Sequence, residues 1–224
     1  MQACDILYAM ELSGIAYHDI QPVFPTGSLS TINDPLSDVQ CYFRRTGATL
    51  YITFRGSNSS RDWRHNLTFC KKTVPYDNAQ SKIRVHAGFL EAYQSPGVRS
   101  VIHSMISPGI AEIRISGHSL GAALAILCGV DLEYNFPDRD YEVAVFGCPR
   151  VGNRAFRDSY NKRVFKTLRI ENGNDIVTKL PPAVMGYRHV GQSFHIGRIK
   201  IPGIVSPKNH EPSAYYKELA ERFW

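Results

Sequence analysis

The stretch from Glu112 to Asp131 constrains the fold more than any other part of the chain. Residues 112–116 alternate apolar and polar side chains as a buried strand does, residues 117–121 read Gly-His-Ser-Leu-Gly, and a run of small and aliphatic residues follows as a helix. A strand that turns at once into a helix forces Ser119 into a strained backbone conformation, which costs about 1–3 kcal/mol. Gly117 and Gly121 lack the Cβ atoms that would collide there. We therefore predict that the Ser119 hydroxyl projects above a sheet, facing free N–H groups of the helix.

Gly-x-Ser-x-Gly between a strand and a helix is typical of a nucleophile elbow. By itself the pattern is short, and a serine in a glycine-rich turn is the alternative interpretation. Here it occurs once, after a predicted strand and before a helix that begins with small residues. This context favours Ser119 as a nucleophile.

Composition and charge narrow the class of protein. The 224 residues are 43% hydrophobic and 21% charged, which is ordinary for one globular domain. A net charge of +6 favours contact with anionic membrane or lipid-droplet surfaces, but interspersed acids leave no basic stripe for nucleic acid. No apolar run is long enough to span a bilayer, and no secretory leader is recognisable at the start of the sequence.

The five cysteines stand at positions 4, 41, 70, 128 and 148. Their odd number and wide spacing argue against a disulfide framework and against a zinc cluster. We expect buried thiols at Cys128 and Cys148, an intracellular location unless a leader has been removed, and a monomer that needs no metal or cofactor.

The rest of the chain predicts an α/β fold. After residue 110 strands alternate with helices, which indicates a mostly parallel sheet with helices on both faces, and an antiparallel hairpin precedes it. The predicted helices cover 6–17, 89–105, 153–160 and 213–223; the predicted strands cover 41–43, 50–54, 83–85, 143–146, 164–170 and 188–197.

The partners of Ser119 are expected downstream, in the order nucleophile, acid, histidine. Asp175 follows the predicted strand 164–170 on a loop and is the best acid, although an aspartate near Gly and Asn also caps turns. Its rivals are Glu171, Asp138, Asp140 and Asp158.

Three histidines follow the acid. His189 and His195 fall within a predicted strand, where a structural imidazole is expected, whereas His210 lies in a loop before the last helix. We therefore favour His210 as the base. The oxyanion donors are expected to be the N–H of Leu120 and Ser57, which follows Phe54-Arg55-Gly56 at a strand exit.

Further motifs carry a resemblance to a family. They are Phe54-Arg55-Gly56-Ser57, Arg61-Asp62-Trp63, 85–89 (Val-His-Ala-Gly-Phe), the turn 117–121, 146–153 (Phe-Gly-Cys-Pro-Arg-Val-Gly-Asn), 174–177 (Asn-Asp-Ile-Val), Pro181-Pro182, Tyr187-x-His189-x-Gly191, and His210 followed by Tyr215. In this combination and order the chain resembles the fungal-type, or class 3, lipases of the α/β-hydrolase superfamily over nearly its whole length.

The resemblance implies a Ser119, Asp175 and His210 triad, Ser57 and Leu120 as oxyanion donors, and structural roles for His86 and His189. It also implies that residues 57–67 form a lid that bears Trp63 and Leu67.

Two departures from the family bear on the substrate. Asp175 and His210 are closer in sequence than in the secreted fungal lipases, and the lid segment is polar. The expected activity is hydrolysis of acylglycerols or other acyl esters. The alternatives are phospholipase A1 or monoacylglycerol lipase activity, and a catalytically inactive hydrolase relative that serves as a binding protein.

Overall fold

The structure is a computed structural model that describes residues 1–22, 27–57, 69–74, 78, 80–198 and 205–223. The predicted lid residues Trp63 and Leu67 lie outside these ranges. Within them the strands are β1 (Ser28–Asp34), β2 (Val39–Thr46), β3 (Thr49–Phe54), β4 (Lys71–Thr73), β5 (Arg84–His86), β6 (Glu112–His118), β7 (Asp140–Phe146), β8 (Gly152–Asn153), β9 (Thr167–Asn172), β10 (Tyr187–Arg188) and β11 (Gln192–Ile196). The helices are α1 (Ala3–Ile15), α2 (Ala87–Gln94), α3 (Arg99–Ser104), α4 (Leu120–Asn135), α5 (Arg154–Arg163) and α6 (Pro212–Phe223).

A seven-stranded sheet forms the centre of the described chain, in the order β1-β2-β3-β6-β7-β9-β11. From β3 to β11 neighbouring strands are parallel, and β2 pairs antiparallel with both β1 and β3. The prediction of a mostly parallel sheet after an antiparallel hairpin is confirmed. The polar edge strand β1, with the sequence SLSTIND, was not predicted because it lacks a regular apolar alternation.

Helices cover both faces of the central sheet, as predicted. Val143 and Val145 of β7 point into a core shared with α2, α3, α4 and α5, while Ala144 and Phe146 point into a core shared with α1 and α6. This alternation follows from the period of two along a strand. In the second core, Tyr215 and Leu219 of α6 pack with Ile6, Leu7 and Met10 of α1.

Two predicted elements are each divided in two. The single helix predicted over 89–105 is wrong, because α2 ends at Gln94 and Ser95 adopts an extended backbone with ψ of 134°. Proline disfavours helical geometry in the residue before it, and Pro96 imposes this break.

The strand predicted over 188–197 is also wrong. It is interrupted at Gly191, whose φ is +70°. β10 pairs with β8 in a second, small sheet of order β10-β8-β5-β4, and β11 pairs with β9 at the edge of the central sheet.

Candidate active site

The elbow between β6 and α4 holds Ser119 in a strained conformation. Its φ is +59° and its ψ is −124°, a region that L-residues rarely occupy. The close approach of strand and helix explains the strain: a Cβ on Gly117 would lie 2.4 Å from the Gly121 carbonyl oxygen. The Ser119 N–H donates to the Phe146 carbonyl, so the elbow is also fixed to the end of β7. The hydroxyl stands at the carboxyl edge of the parallel strands.

Ser119, His210 and Asp175 form one hydrogen-bonded chain. The Oγ of Ser119 lies 2.8 Å from Nε2 of His210, and Nδ1 of His210 lies 2.9 Å from Oδ2 of Asp175. Because a carboxylate only accepts hydrogen bonds, Nδ1 carries the proton and Nε2 is free to accept from the serine. Gly147, with φ of +58°, lets the backbone pass beside this chain, since a Cβ there would lie 2.9 Å from the His210 ring and 3.0 Å from Asp175.

Asp175 is buried and held by several donors. Its Oδ2 also accepts from the Tyr215 hydroxyl at 2.6 Å, and its Oδ1 accepts from the Val177 amide at 2.8 Å. Burial alone would raise the pKa of Asp175, but the hydrogen bonds from His210, Tyr215 and Val177 outweigh it and lower the pKa below its ordinary value. The carboxylate is therefore ionised at neutral pH and can balance a positive charge on His210.

His210 is positioned through its backbone as well as its ring. Its carbonyl oxygen lies 2.7 Å from Nε2 of His118, the residue before the serine, and the two imidazoles have centroids 4.6 Å apart. The other nitrogen of His118 lies 2.8 Å from the hydroxyl of Tyr17. A backbone carbonyl only accepts, so His118 is protonated on Nε2 and accepts from Tyr17 on Nδ1. Burial, with a further contribution from His210, lowers the pKa of His118 to about 3, so its ring is neutral.

The backbone that leads to Ser57 runs directly against the elbow. A Cβ on Gly121 would lie 2.4 Å from the Phe54 carbonyl oxygen, and a Cβ on Gly56 would lie 2.7 Å from the carbonyl of His118. Leu120 is the first residue of α4, where N–H groups have no partner inside the helix. The geometry therefore brings the Ser57 segment and the Leu120 amide to the same turn as Ser119.

The rival residues lie in other surroundings. The carboxylate of Glu171 pairs with Arg169 and Lys179, Asp140 pairs with Lys166, and Asp158 pairs with Arg154 and Arg157. The Nε2 of His189 lies 2.8 Å from the Thr178 carbonyl. His195 is an exposed residue of β11 and pairs with Glu171 of β9. His86 caps α2 and stacks on Phe89 at 4.1 Å.

Two residues of this site, Tyr17 and His118, were not predicted from the sequence. His118 precedes the serine, which excludes it as the base in the expected order of the triad and gives no other role for it. Tyr17 lies 101 residues from His118, and nothing in the local pattern indicates that they meet. Tyr215 was recognised only as part of a family motif.

The five cysteines are all free thiols: Cys41, Cys128 and Cys148 are buried, and Cys4 and Cys70 are exposed. Among the described residues no group of three or more His, Cys, Asp or Glu side chains is arranged to hold a metal ion. No helix in the described ranges is long and apolar enough to cross a membrane.

A strained serine after a parallel strand, joined to a histidine and an aspartate at the carboxyl edge of a sheet with helices on both faces, defines the α/β-hydrolase class. The family model for lipases of class 3 matches residues 51–185, and the chain belongs to this family.

Individual relatives agree with this assignment. The chain is 36% identical to a Rhizomucor miehei lipase over 154 residues, which is 66% of this chain and 42% of the relative. It is 35% identical to the chloroplastic phospholipase A(1) DAD1 of Arabidopsis thaliana over 61% of this chain and 34% of that one. The aligned part thus spans less than half the length of these relatives.

Solved structures extend the likeness to the whole fold. The Rhizomucor miehei triacylglyceride lipase superposes with a TM-score of 0.77 and 26% identity over 92% of both chains. A triacylglycerol lipase described as having a serine-protease triad at its catalytic centre superposes with a TM-score of 0.79 and 26% identity, also over 92% of both chains.

Proposed function

We propose that this chain is a serine ester hydrolase that cleaves acylglycerols or other acyl esters in one α/β-hydrolase domain, acting as a monomer. The observation that carries the proposal is the hydrogen-bonded chain from Ser119 through His210 to Asp175. Ser119 attacks the ester carbonyl while Nε2 of His210 takes its proton, and Asp175 stabilises the imidazolium that forms.

The remaining steps use the same groups. The Leu120 amide and Ser57 hold the negative charge that develops on the carbonyl oxygen, which is usually a large contribution to the rate. His210 then returns its proton to the leaving alcohol, which leaves an acyl group on Ser119. Water activated by His210 releases the acid and restores the serine.

Labelling with a fluorophosphonate probe tests the nucleophile directly. The native chain should be labelled and should hydrolyse a short p-nitrophenyl ester, and Ser119→Ala should lose both properties while its thermal unfolding stays nearly unchanged. Labelling that persists in Ser119→Ala would disprove the proposal.

The choice of base has a separate test with a matched control. We expect His210→Ala to lower kcat by several orders of magnitude, whereas His195→Ala, at the exposed histidine of β11, should retain it. Loss of turnover in His195→Ala, with activity retained in His210→Ala, would show that His210 is not the base.

A second candidate is phospholipase A1 activity. The similarity to an Arabidopsis protein named as a phospholipase A(1) favours it, and the basic net charge would suit an anionic lipid surface. Comparing fatty-acid release from tributyrin and from phospholipid vesicles distinguishes the two activities. An absence of turnover on every ester, together with retained lipid binding, would instead indicate a binding protein.

We further propose that residues 57–67 act as a weak lid. Trp63 is the largest apolar side chain in this otherwise mostly polar segment, so closing would bury little apolar area. Burial stabilises by roughly 25 cal/mol per Å² of apolar surface, so the closed state would gain little free energy. The rate of tributyrin hydrolysis should therefore rise smoothly through its solubility limit. A jump in rate at that limit would show an effective closed lid.

A further inference from the structure

A basic cleft lies on the small sheet, outside the triad. Its volume is about 650 Å³, and its described lining contains no acidic side chain. Five cationic side chains surround it: Lys71, Lys82, Arg84, Arg154 and Arg188. Four separate segments supply them, around β4, β5, β10 and the start of α5. The concentration of charge is therefore produced by the fold and not by a run of basic residues.

Most of this charge is not neutralised within the described chain. Asp158, 3.8 Å from Arg154, is the one described carboxylate in an ion pair with any of the five. Lys71 donates to the Met185 carbonyl and Arg188 to the Ala183 carbonyl, which orients the two cations without cancelling their charge. Like charges around one cleft repel each other, and an anion placed among them relieves the repulsion.

An exposed apolar turn adjoins the cleft. The one-turn helix Ala183–Met185 presents the side chain of Val184, which is 92% exposed, and that of Met185, which is 43% exposed. Gly186 and Arg188, which follow directly, line the cleft. Aliphatic side chains beside cationic ones are the combination that inserts into the headgroup region of an anionic membrane.

The apolar turn lies on the same edge of the sheet as Ser119. Arg150, just beyond the end of β7, uses its guanidinium to bind the Lys179 and Pro181 carbonyls. The turn thus lies beside the carboxyl ends of the parallel strands, where the hydroxyl of Ser119 also stands. A surface that touched Val184 would therefore meet the edge at which the ester must enter.

We propose that this cleft and the turn around Val184 form a docking site for anionic phospholipid surfaces, with the five cations on the phosphate groups and Val184 in the headgroup layer. The site deepens the proposed function but does not depend on catalysis. It predicts that binding to vesicles requires negative lipid and weakens as salt is added.

Sedimentation with vesicles tests the proposal, using the Ser119→Ala chain so that the lipid is not consumed. Binding should be strong to phosphatidylcholine mixed with phosphatidylglycerol and weak to phosphatidylcholine alone. Lys82→Gln with Arg84→Gln, both exposed and without an ionic partner among the described residues, should weaken binding about 25-fold, since each basic residue near such a surface contributes about fivefold. Val184→Ser should also weaken it.

A matched control removes the same charge from the opposite edge of the sheet. Arg45 lies in the β2–β3 hairpin beside the start of β6, and Lys162 lies near the end of α5 ahead of β9. Both are exposed, and Arg45→Gln with Lys162→Gln should bind as the parent chain does. Equal loss in the two double variants would show a nonspecific effect of net charge and overturn the site.

The same variants distinguish lipid from other anions. A short duplex DNA is the comparison. If it bound as tightly as the vesicles, and if the same cleft variant lost this binding, the cleft would be a general polyanion site and the proposal would be wrong. Failure of vesicle binding would leave the triad and ester hydrolysis untouched, because those are measured with dissolved esters.

Discussion

The imidazole of His118 donates a hydrogen bond to the backbone carbonyl of His210, across 92 residues of sequence and 2.7 Å of space. The residue before Ser119 thus holds the loop that carries His210. Tyr17 fixes the tautomer of His118 that makes this bond possible. The N-terminal segment, the elbow and the base are joined in one line of contacts.

We predict that Tyr17→Phe and His118→Leu both lower kcat with little change in KM. His118→Leu should cost about 10- to 100-fold because His210 loses its anchor, and Tyr17→Phe should cost less because the donor remains. The double variant should be no worse than His118→Leu, since the two residues act through one chain of bonds. Steady-state kinetics on a soluble ester measure all three, and additive losses would contradict a linked pair.

Two neighbouring tyrosines offer a matched comparison. The buried Tyr215 hydroxyl donates to Oδ2 of Asp175 and accepts from the Asn172 amide, whereas the Tyr216 hydroxyl bonds Glu11 at the surface. Tyr215→Phe should lower kcat about tenfold and stability by about 1–3 kcal/mol, because a buried amide loses its partner and the carboxylate loses an anchor. Tyr216→Phe should change neither. Equal effects in the two variants would remove Tyr215 from the site.

The elbow should tolerate no side chain at Gly117. Gly117→Ala places a methyl group 2.4 Å from a backbone oxygen and should cost about 1–3 kcal/mol or more, together with activity. Gly14, in α1, has nothing within 4 Å of the position of its missing Cβ, so Gly14→Ala should stabilise the chain by about 0.5–1 kcal/mol. Urea unfolding measures both changes. A Gly117→Ala chain as stable as Gly14→Ala would refute the close approach.

Stability should fall as the pH is lowered from about 6.5 towards 4. Burial lowers the pKa of His118 and His189 to about 3 and that of His86 to about 4, so in the native state these rings stay neutral where the unfolded state takes up protons. Each of these histidines should then lower the free energy of unfolding by about 2 kcal/mol as the pH falls from about 6.5 to about 5. Asp175, with its lowered pKa, contributes stability that is lost only at lower pH, below about 4.

Urea titrations at several pH values give the slope. Removing one buried imidazole in His189→Gln should reduce the pH dependence between about pH 6.5 and pH 5 by about a third, because one of three similar protonation differences is gone. A slope unchanged in that variant would show that other groups control the acid instability.

The central sheet could be predicted because the sequence patterns that specify it lie within short segments of the chain. Apolar periodicity and the placement of glycines within about 20 to 30 residues predict β6, the elbow, α4 and the next parallel strand, β7. The geometry around Asp175 follows from the loop after β9, which the sequence indicates once the strand is recognised.

What the sequence did not indicate depends on distant contacts. β8 is two residues long and is a strand only because β5 and β10 flank it. The partner of His118 comes from the first helical segment, and the cations of the basic cleft meet only when the small sheet forms. The periodicity of one segment does not indicate which distant segments it will contact in the folded chain.

The packing of α6 on α1 has a consequence for how the protein is made. A chain leaves the ribosome from its N-terminal side onward, so Ser119 and Asp175 emerge before His210 and the helix that follows it. That helix in turn rests on Ile6, Leu7 and Met10, which were synthesised earlier. A nascent chain therefore lacks the hydrogen-bond partner of the Ser119 hydroxyl in its final position until α6 has been synthesised and has packed on α1.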